Sequence, residues 1–387
     1  MKNKISFAFT GDISFDRYMD GKWDDPELLS AEILEFLRSA DHVVANVEGP
    51  LVQAERNSAT AGAAQLMHTM DTNAIKVLNN FHADIWNIAN NHIMDAGALG
   101  MESTLKEAEK NHVLTIGAGM DVNEAKKALY FEEAGGIGMF GVGYQRGCKP
   151  ASEENPGSFR WNDMDAIREV IQEIKSKCRW CIVVAHGGEE FTALPTPYTR
   201  DRYLAYLDMG ADIVVSHHPH VPMNYEILDN KAIFYSLGNF IFDTDYQRAQ
   251  FNTELGVLLK LHFTPDTFEF EPMGIKICRD TERIVKGDLP RIFTDVPQEE
   301  YELLEPLAAK MFISATKRQQ IYMNPKEYTN ATEEKWQENF MNPKRSGRVI
   351  GEGLDFHIIL PIAAKEEEKA WKKSQLNEVV DYILEQM

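Results

Sequence analysis

Short apolar runs rich in β-branched residues alternate along the chain with longer segments whose apolar residues recur at helical spacing, the pattern of strands exchanging with helices. Ile5 to Thr10 reads as a first strand. Pro26 to Ser39 reads as a helix with Leu28, Leu29, Ile33, Leu34, Phe36 and Leu37 on one face, and His42 to Ala45 as a second strand. A helix from Thr72 to Asn80, a strand from Asp84 to Ala89, a helix from Gly97 to Lys110 and a short strand from Leu114 to Ile116 follow. Ala128 to Glu132 and Ile137 to Val142 flank Gly135-Gly136 as a hairpin. Next come a helix from Asp163 to Lys177, a strand from Cys181 to Ala185, a helix from Arg200 to Met209 closed by Gly210, and a strand through Val214 and Val215. Asn224 to Leu228 with Ala232 to Ser236 make a second hairpin, and Leu255 to Phe263 and Phe268 to Ile277 read as further strands.

Beyond Arg279 the pattern turns helical. Tyr301 to Tyr322 is one helix, and Lys365 to Met387 reads as another, with Leu376, Val379, Val380, Ile383 and Leu384 as its apolar face. Residues 1–280 are therefore expected to form an α/β domain and residues 281–387 a mainly helical extension packed on it. Gln53 to Gln65, rich in small and polar residues, is expected to be a surface loop and a substrate-side lid. Met341 to Gly353 is irregular and carries Lys344, Arg345 and Arg348.

What the predicted strands end in matters more than the strands themselves. Their carboxyl ends run into Asp12, into Asn46 and Glu48, into Asn91 and His92, into His186, and into His217-His218-Pro219-His220. In a sheet with parallel character these ends share one edge, so the five endings converge. Carboxylate, amide oxygen and imidazole without thiolate suit manganese, iron, zinc or cobalt. There are too many such groups for one tetrahedral ion, and two ions about 4 Å apart would use them. His217 fits either register, but the spacing favours His218 with His220 and leaves His217 standing behind them. His42, His68, His82, His112, His262 and His357 have no such company and read as surface or satisfied core residues.

Composition narrows the partners. Sixty acidic against forty basic residues give the 387-residue chain a formal charge of -20, so the average surface should repel nucleic acid and anionic membranes, and an acidic-polymer substrate, expected beside a small molecule, would need a local positive site that metal ions could supply. Ile5 to Phe9 is far too short for a signal-peptide or membrane-spanning core, and the expected location is cytoplasmic. Cys178 and Cys181 have a CxxC spacing but sit between a helix and a strand, and no second pair completes a zinc site. Oligomeric state has no signature in the sequence.

The ordered motifs resemble a known family. Gly11-Asp12 with Arg17, Asn46-x-Glu48, Asn90-Asn91-His92 with Asp95 and Gly97, His186-Gly-Gly-Glu189, His217-His218-Pro219-His220-Val221 and Ser236-Leu-Gly-Asn239-Phe240 look like those of the CapA/PgsA poly-γ-glutamate capsule family. That family is similar to calcineurin-like metallophosphoesterases. The resemblance implies a four-layer α-β-β-α sandwich of the metallophosphoesterase type, with the tail outside it. It implies two divalent ions, manganese, zinc or iron, on Asp12, Glu48, Asn91, His186, His218 and His220, Glu48 bridging. His92, held by Asp95, would be the general acid. Arg17 and Asn239 would face the substrate, with Asn46, Glu189 and His217 assigned to the same side. The expected activity is hydrolysis of a phosphoester or a γ-glutamyl-type amide, and the other reading is an accessory or binding protein for poly-γ-glutamate or capsule biosynthesis. One motif departs from the pattern: Asp12 is followed by Ile13-Ser14 where the phosphoesterases have Asp-x-His, which takes a histidine from one ion.

Overall fold

The structure is a computed structural model that describes residues 3–53, 67–144, 150–342, 356–365 and 370–387. Apart from Gln53, the expected lid lies outside the described residues, as do Lys344, Arg345 and Arg348.

Two sheets face each other. The first contains β1 (Ile5–Ile13), β2 (His42–Val47), β3 (Ala83–Asn87) and β4 (Leu114–Ile116), all parallel. The second contains β5 (Leu129–Phe131), β6 (Ile137–Gly143), β7 (Trp180–His186), β8 (Ile213–His217), β9 (Tyr225–Leu228) and β10 (Lys231–Phe234), in the order β9-β10-β8-β7-β6-β5. Its four middle strands are parallel, and antiparallel β9 and β5 close the edges. The first sheet continues on the other side of β1 through β12 (Leu255–Phe263), β13 (Phe268–Cys278) and β14 (Arg283–Lys286), all antiparallel. Short β11 (Asn239–Ile241) also lies parallel to β1. Because β14 pairs with β13, the boundary expected at residue 280 falls inside this sheet.

Strand alternation divides the core into three layers. Phe7, Phe9, Val44 and Ile85 point inward against Trp180, Ile182, Val184, Ile213 and Val215 of the other sheet. Ala8, Val43, Ala45 and Trp86 point outward onto α1 (Ala31–Arg38), α2 (Ile75–Asn80) and α3 (Gly97–Lys110). On the far side Val183, Ala185 and Val214 meet α4 (Met164–Lys177) and α5 (Pro197–Met209). The result is the four-layer α-β-β-α sandwich. Each large side chain buried this way contributes about 1.5–3 kcal/mol relative to exposure, which is why the central strands read as nearly unbroken apolar runs.

The tail packs on this body through α6 (Gln298–Met323), whose Tyr301, Leu304, Leu307 and Met311 share a buried cluster with Ala193 and Leu194. Tyr301 also covers the buried Arg200 guanidinium, which forms a two-pronged ion pair with Glu226 at 2.6 and 2.9 Å. The single helix expected from Lys365 to Met387 is broken. A short turn at Ala370–Lys373 precedes a helix at Asn377–Leu384, and of the expected apolar face Val379 and Ile383 are buried while Leu384 is exposed. Ser374 explains part of the break, because its hydroxyl is spent on Glu300 of α6.

Candidate metal centre

Backbone register builds the site. Asn239, Asp12, Asn46 and Asn87 are successive partners across β11, β1, β2 and β3, so one polar row crosses the end of the first sheet. His186 and His217 are partners at the corresponding end of the second. The five endings thus come from two sheets that face each other rather than from one. Gly11 permits the crowding at Asp12, since a Cβ there would lie 2.2 Å from the Gly238 carbonyl oxygen. The turn after β8 is forced as well. His218 and His220 have φ of 97° and 59°, a region that ordinary residues occupy only when their surroundings over-determine it.

Glu48 stands at the centre of what these rows converge on. Asp12, Glu48 and His220 form one group, and Glu48, His186 and His218 another, with ligand atoms in each lying within 4.8 Å of one another. Glu48 belongs to both. Its Oε1 is 3.6 Å from His186 Nε2 and 3.7 Å from His220 Nε2, and neither of its oxygens accepts a hydrogen bond although the side chain is completely buried. A carboxylate with no donors in a dry interior is among the costliest arrangements a protein can hold. Burial accordingly pushes the Glu48 carboxyl well above its ordinary range, against the pull of His220, while Asp12 adds to the rise. Burial works against protonation of His220, but the Glu48 and Asp12 carboxylates prevail and raise its imidazole to about 10. Cations between these groups remove the conflict, because a divalent charge supplies what the missing donors do not. The donor set therefore fits divalent metal.

The amides orient the ligands. Asn87 donates to Asn46 Oδ1 at 2.8 Å, and Asn46 donates to Asp12 Oδ1 at 2.8 Å while touching His186 Nδ1 at 3.3 Å. Asn239 Oδ1 lies 3.0 Å from His220 Nδ1, which leaves Nε2 facing Glu48. Asn91 Oδ1 lies 2.9 Å from His186 Nε2, on the ligand side of that ring. His92 Nδ1 is 2.7 Å from Asp95 Oδ2, and its Nε2 points back toward Glu48 Oε1 at 3.9 Å. His92 keeps slight exposure, and its Nε2 is the nitrogen left on the Glu48 side.

Of the five residues expected on the substrate side, only Arg17 retains an unspent donor: Nη1 binds Asp16 at 2.8 Å, while Nη2 is buried without a hydrogen-bond partner. Asn46 and Asn239 are bonded to Asp12 and His220 instead. His217 is buried between the sheets, with Nε2 2.9 Å from the Thr10 carbonyl oxygen and Nδ1 3.2 Å from that of Ala185, and so braces one sheet against the other. Glu189 turns away from the site and accepts bonds from Thr196 N and the Thr196 and Thr199 hydroxyls. The charge of its neighbour Glu190 acts on Glu48 and His220 instead. The CxxC pair is not a site either: both thiols are free, and burial pushes the Cys181 thiol far up.

His68, which reads from sequence as a surface or satisfied core residue, belongs here. Its ring meets His92 edge-on at 4.4 Å, its Nδ1 is 3.1 Å from Asp16 Oδ2, and its backbone N–H donates to Asp95 Oδ2 at 2.7 Å. Burial and the nearby His92 hold the imidazole down at about 4, despite the carboxylates of Asp16 and Asp95. Unfolded histidine titrates near 6.5, so the folded chain binds fewer protons below that pH. The stability contributed by neutral His68 is complete above about 6.5 and is lost as pH falls toward about 4. An NMR titration of the His68 ring should place its midpoint near 4. A midpoint above about 6 would show that its burial is incomplete.

Together these features define a class: an α/β sandwich with a candidate metal centre where the parallel strands of both sheets end. Residues 6–244 match the family described as bacterial capsule synthesis protein PGA_cap. The chain is 32% identical over 289 residues to the PGA biosynthesis protein CapA of Bacillus subtilis (strain 168), covering 73% of this chain and 74% of that protein. It is 26% identical over 255 residues to the capsule biosynthesis protein CapA of Bacillus anthracis, covering 64% and 62%. This protein belongs to the PGA_cap family. Among solved structures, it aligns with a 5'-nucleotidase precursor from Thermus thermophilus at 12% identity and a TM-score of 0.41. The alignment covers 70% of this chain and 54% of the nucleotidase, so the chain spans about half the length of that protein. Among the described residues no helix is long and apolar enough to cross a membrane.

Proposed function

We propose that the chain is a metal-dependent hydrolase that cleaves a phosphoester or a γ-glutamyl-type amide at the Glu48 centre. The observation that carries this reading is the buried Glu48 carboxylate, without a hydrogen-bond donor and shared by two ligand groups. Asp12, Glu48, Asn91, His186, His218 and His220 would hold two ions, manganese, zinc or iron. When bound, such a pair supplies hydroxide near neutral pH and takes up charge that develops on the attacked group. The rest falls to the chain. Asn46 and Asn239 fix the ligand geometry, Arg17 Nη2 offers a donor to an anionic group, and His92, with Nδ1 held by Asp95, presents Nε2 for proton transfer to the leaving group.

The test is a substrate screen with protein loaded with manganese or zinc, measured beside chelated protein. Turnover of one substrate class that disappears on chelation is the expected result. Two bound ions without turnover of phosphoesters or γ-glutamyl amides would sink the hydrolase reading and favour the accessory role in poly-γ-glutamate or capsule biosynthesis.

A further inference from the structure

Glu189 and Glu190 are adjacent carboxylates with opposite surroundings. Glu189 is buried and surrounded by donors. Glu190 is half-buried, and among the described residues its carboxylate meets one donor, the Tyr246 hydroxyl at 3.2 Å, and no cation. Its position is fixed by the next residue. The Phe191 ring stacks over His220 at 6.0 Å and meets Tyr246 at 5.4 Å, so Glu190 stands at the rim of the Asp12, Glu48 and His220 group. Behind burial and the mutual charges of Asp12, Glu48 and His220, the Glu190 charge adds to the upward pull on Glu48 and His220.

The C-terminal extension holds this rim in place. Ala315 of α6 packs with Phe191 and Val221, Gln319 Nε2 donates to the Glu190 backbone oxygen at 3.5 Å, and the Tyr322 ring meets Tyr246 at 5.4 Å. These three residues lie beyond the segment that matches the family. A carboxylate held here repels an anionic group of the substrate and attracts a positive one.

We propose that Glu190, oriented by Tyr246 and supported by α6, binds a protonated amine of the substrate beside the metal centre. This deepens the hydrolase reading and rests on it. It selects between the two substrate classes, because a γ-glutamyl group with a free α-amine carries both an ammonium for Glu190 and a carboxylate for Arg17, whereas a simple phosphoester lacks the ammonium.

The experiment compares binding of γ-glutamyl-p-nitroanilide and its N-acetyl derivative to the manganese-loaded full chain by calorimetry. The wild type should prefer the free amine by about tenfold, and Glu190→Gln should reduce the preference to about unity. Tyr246→Phe, which keeps the ring and removes the hydroxyl, should give an intermediate preference. Equal binding of the two probes by the wild type, no binding of the free-amine probe, or a preference that survives in Glu190→Gln would each overturn the proposal. So would a loss of bound manganese in Glu190→Gln, which would make Glu190 a metal ligand. Cleavage is read separately. Preferential binding without release of nitroaniline would leave the amine site standing and count against the hydrolase reading.

Discussion

Glu48→Ala should abolish the uptake of both ions and, with it, all metal-dependent turnover. The expectation follows from the one position where the two groups meet: Asp12, His186, His218 and His220 each belong to one group, whereas Glu48 belongs to both. The substitution also has an unusual effect on stability. In chelated protein the lost carboxylate is one that burial disfavours and no hydrogen-bond donor supports, and Asp12 stays beside His220 at 3.2 Å, so its removal should leave Tm near the wild-type value. Added manganese or zinc should then separate the two proteins. The wild type gains about 2.7 kcal/mol at an ion concentration about a hundredfold above Kd, and the variant should gain almost nothing. Elemental analysis and thermal unfolding with and without metal measure both effects. A variant that still binds two ions, or a wild type whose Tm is indifferent to every divalent ion, would remove the centre from the account.

Why Glu48 was visible in the sequence while His68 was not is a question of how each reaches the site. Asp12, Glu48, His186, His218 and His220 follow apolar runs directly, and a parallel strand delivers its carboxyl end to a shared edge whatever the rest of the chain does. His68 is brought in by a connection, and its partner Asp16 lies 52 residues away, so no local pattern announces it. Glu189 and Glu190 show another limit. Sequence order places a carboxylate after His186-Gly-Gly, but it does not show that in the folded turn, left-handed at Gly188 and at Phe191 with φ of 112° and 61°, Glu189 is buried and Glu190 half-buried. The same holds for Asn46 and Asn239: their places in the strands were legible, but their commitment to Asp12 and His220 depends on register across strands. In the tail, helical spacing suggested one helix from Lys365 to Met387. Periodicity carries no information about Ser374, whose bond to Glu300 is a tertiary contact.

His92→Ala should leave metal content unchanged and reduce turnover by about a hundredfold to ten-thousandfold on a substrate whose leaving group must be protonated. The expectation rests on the proposed role of His92 as proton donor. With Nδ1 on Asp95 at 2.7 Å, the ring is oriented by a carboxylate and presents Nε2 toward Glu48 at 3.9 Å, beside the ligands without belonging to either ligand group. A group that supplies a proton matters in proportion to how poorly the leaving group departs alone. The loss should therefore be largest on an unactivated amide or alkyl ester and much smaller on a nitrophenyl ester, whose anion leaves unaided. Asp95→Asn should show the same ordering with a smaller loss, because the amide can still position the ring but no longer stabilises its protonated form. That ordering separates proton transfer from a general disturbance of the site, which would lower both rates together. If His92→Ala hydrolyses the unactivated substrate at the wild-type rate with its ions in place, the proton comes from elsewhere, and His92 is reduced to packing against His68.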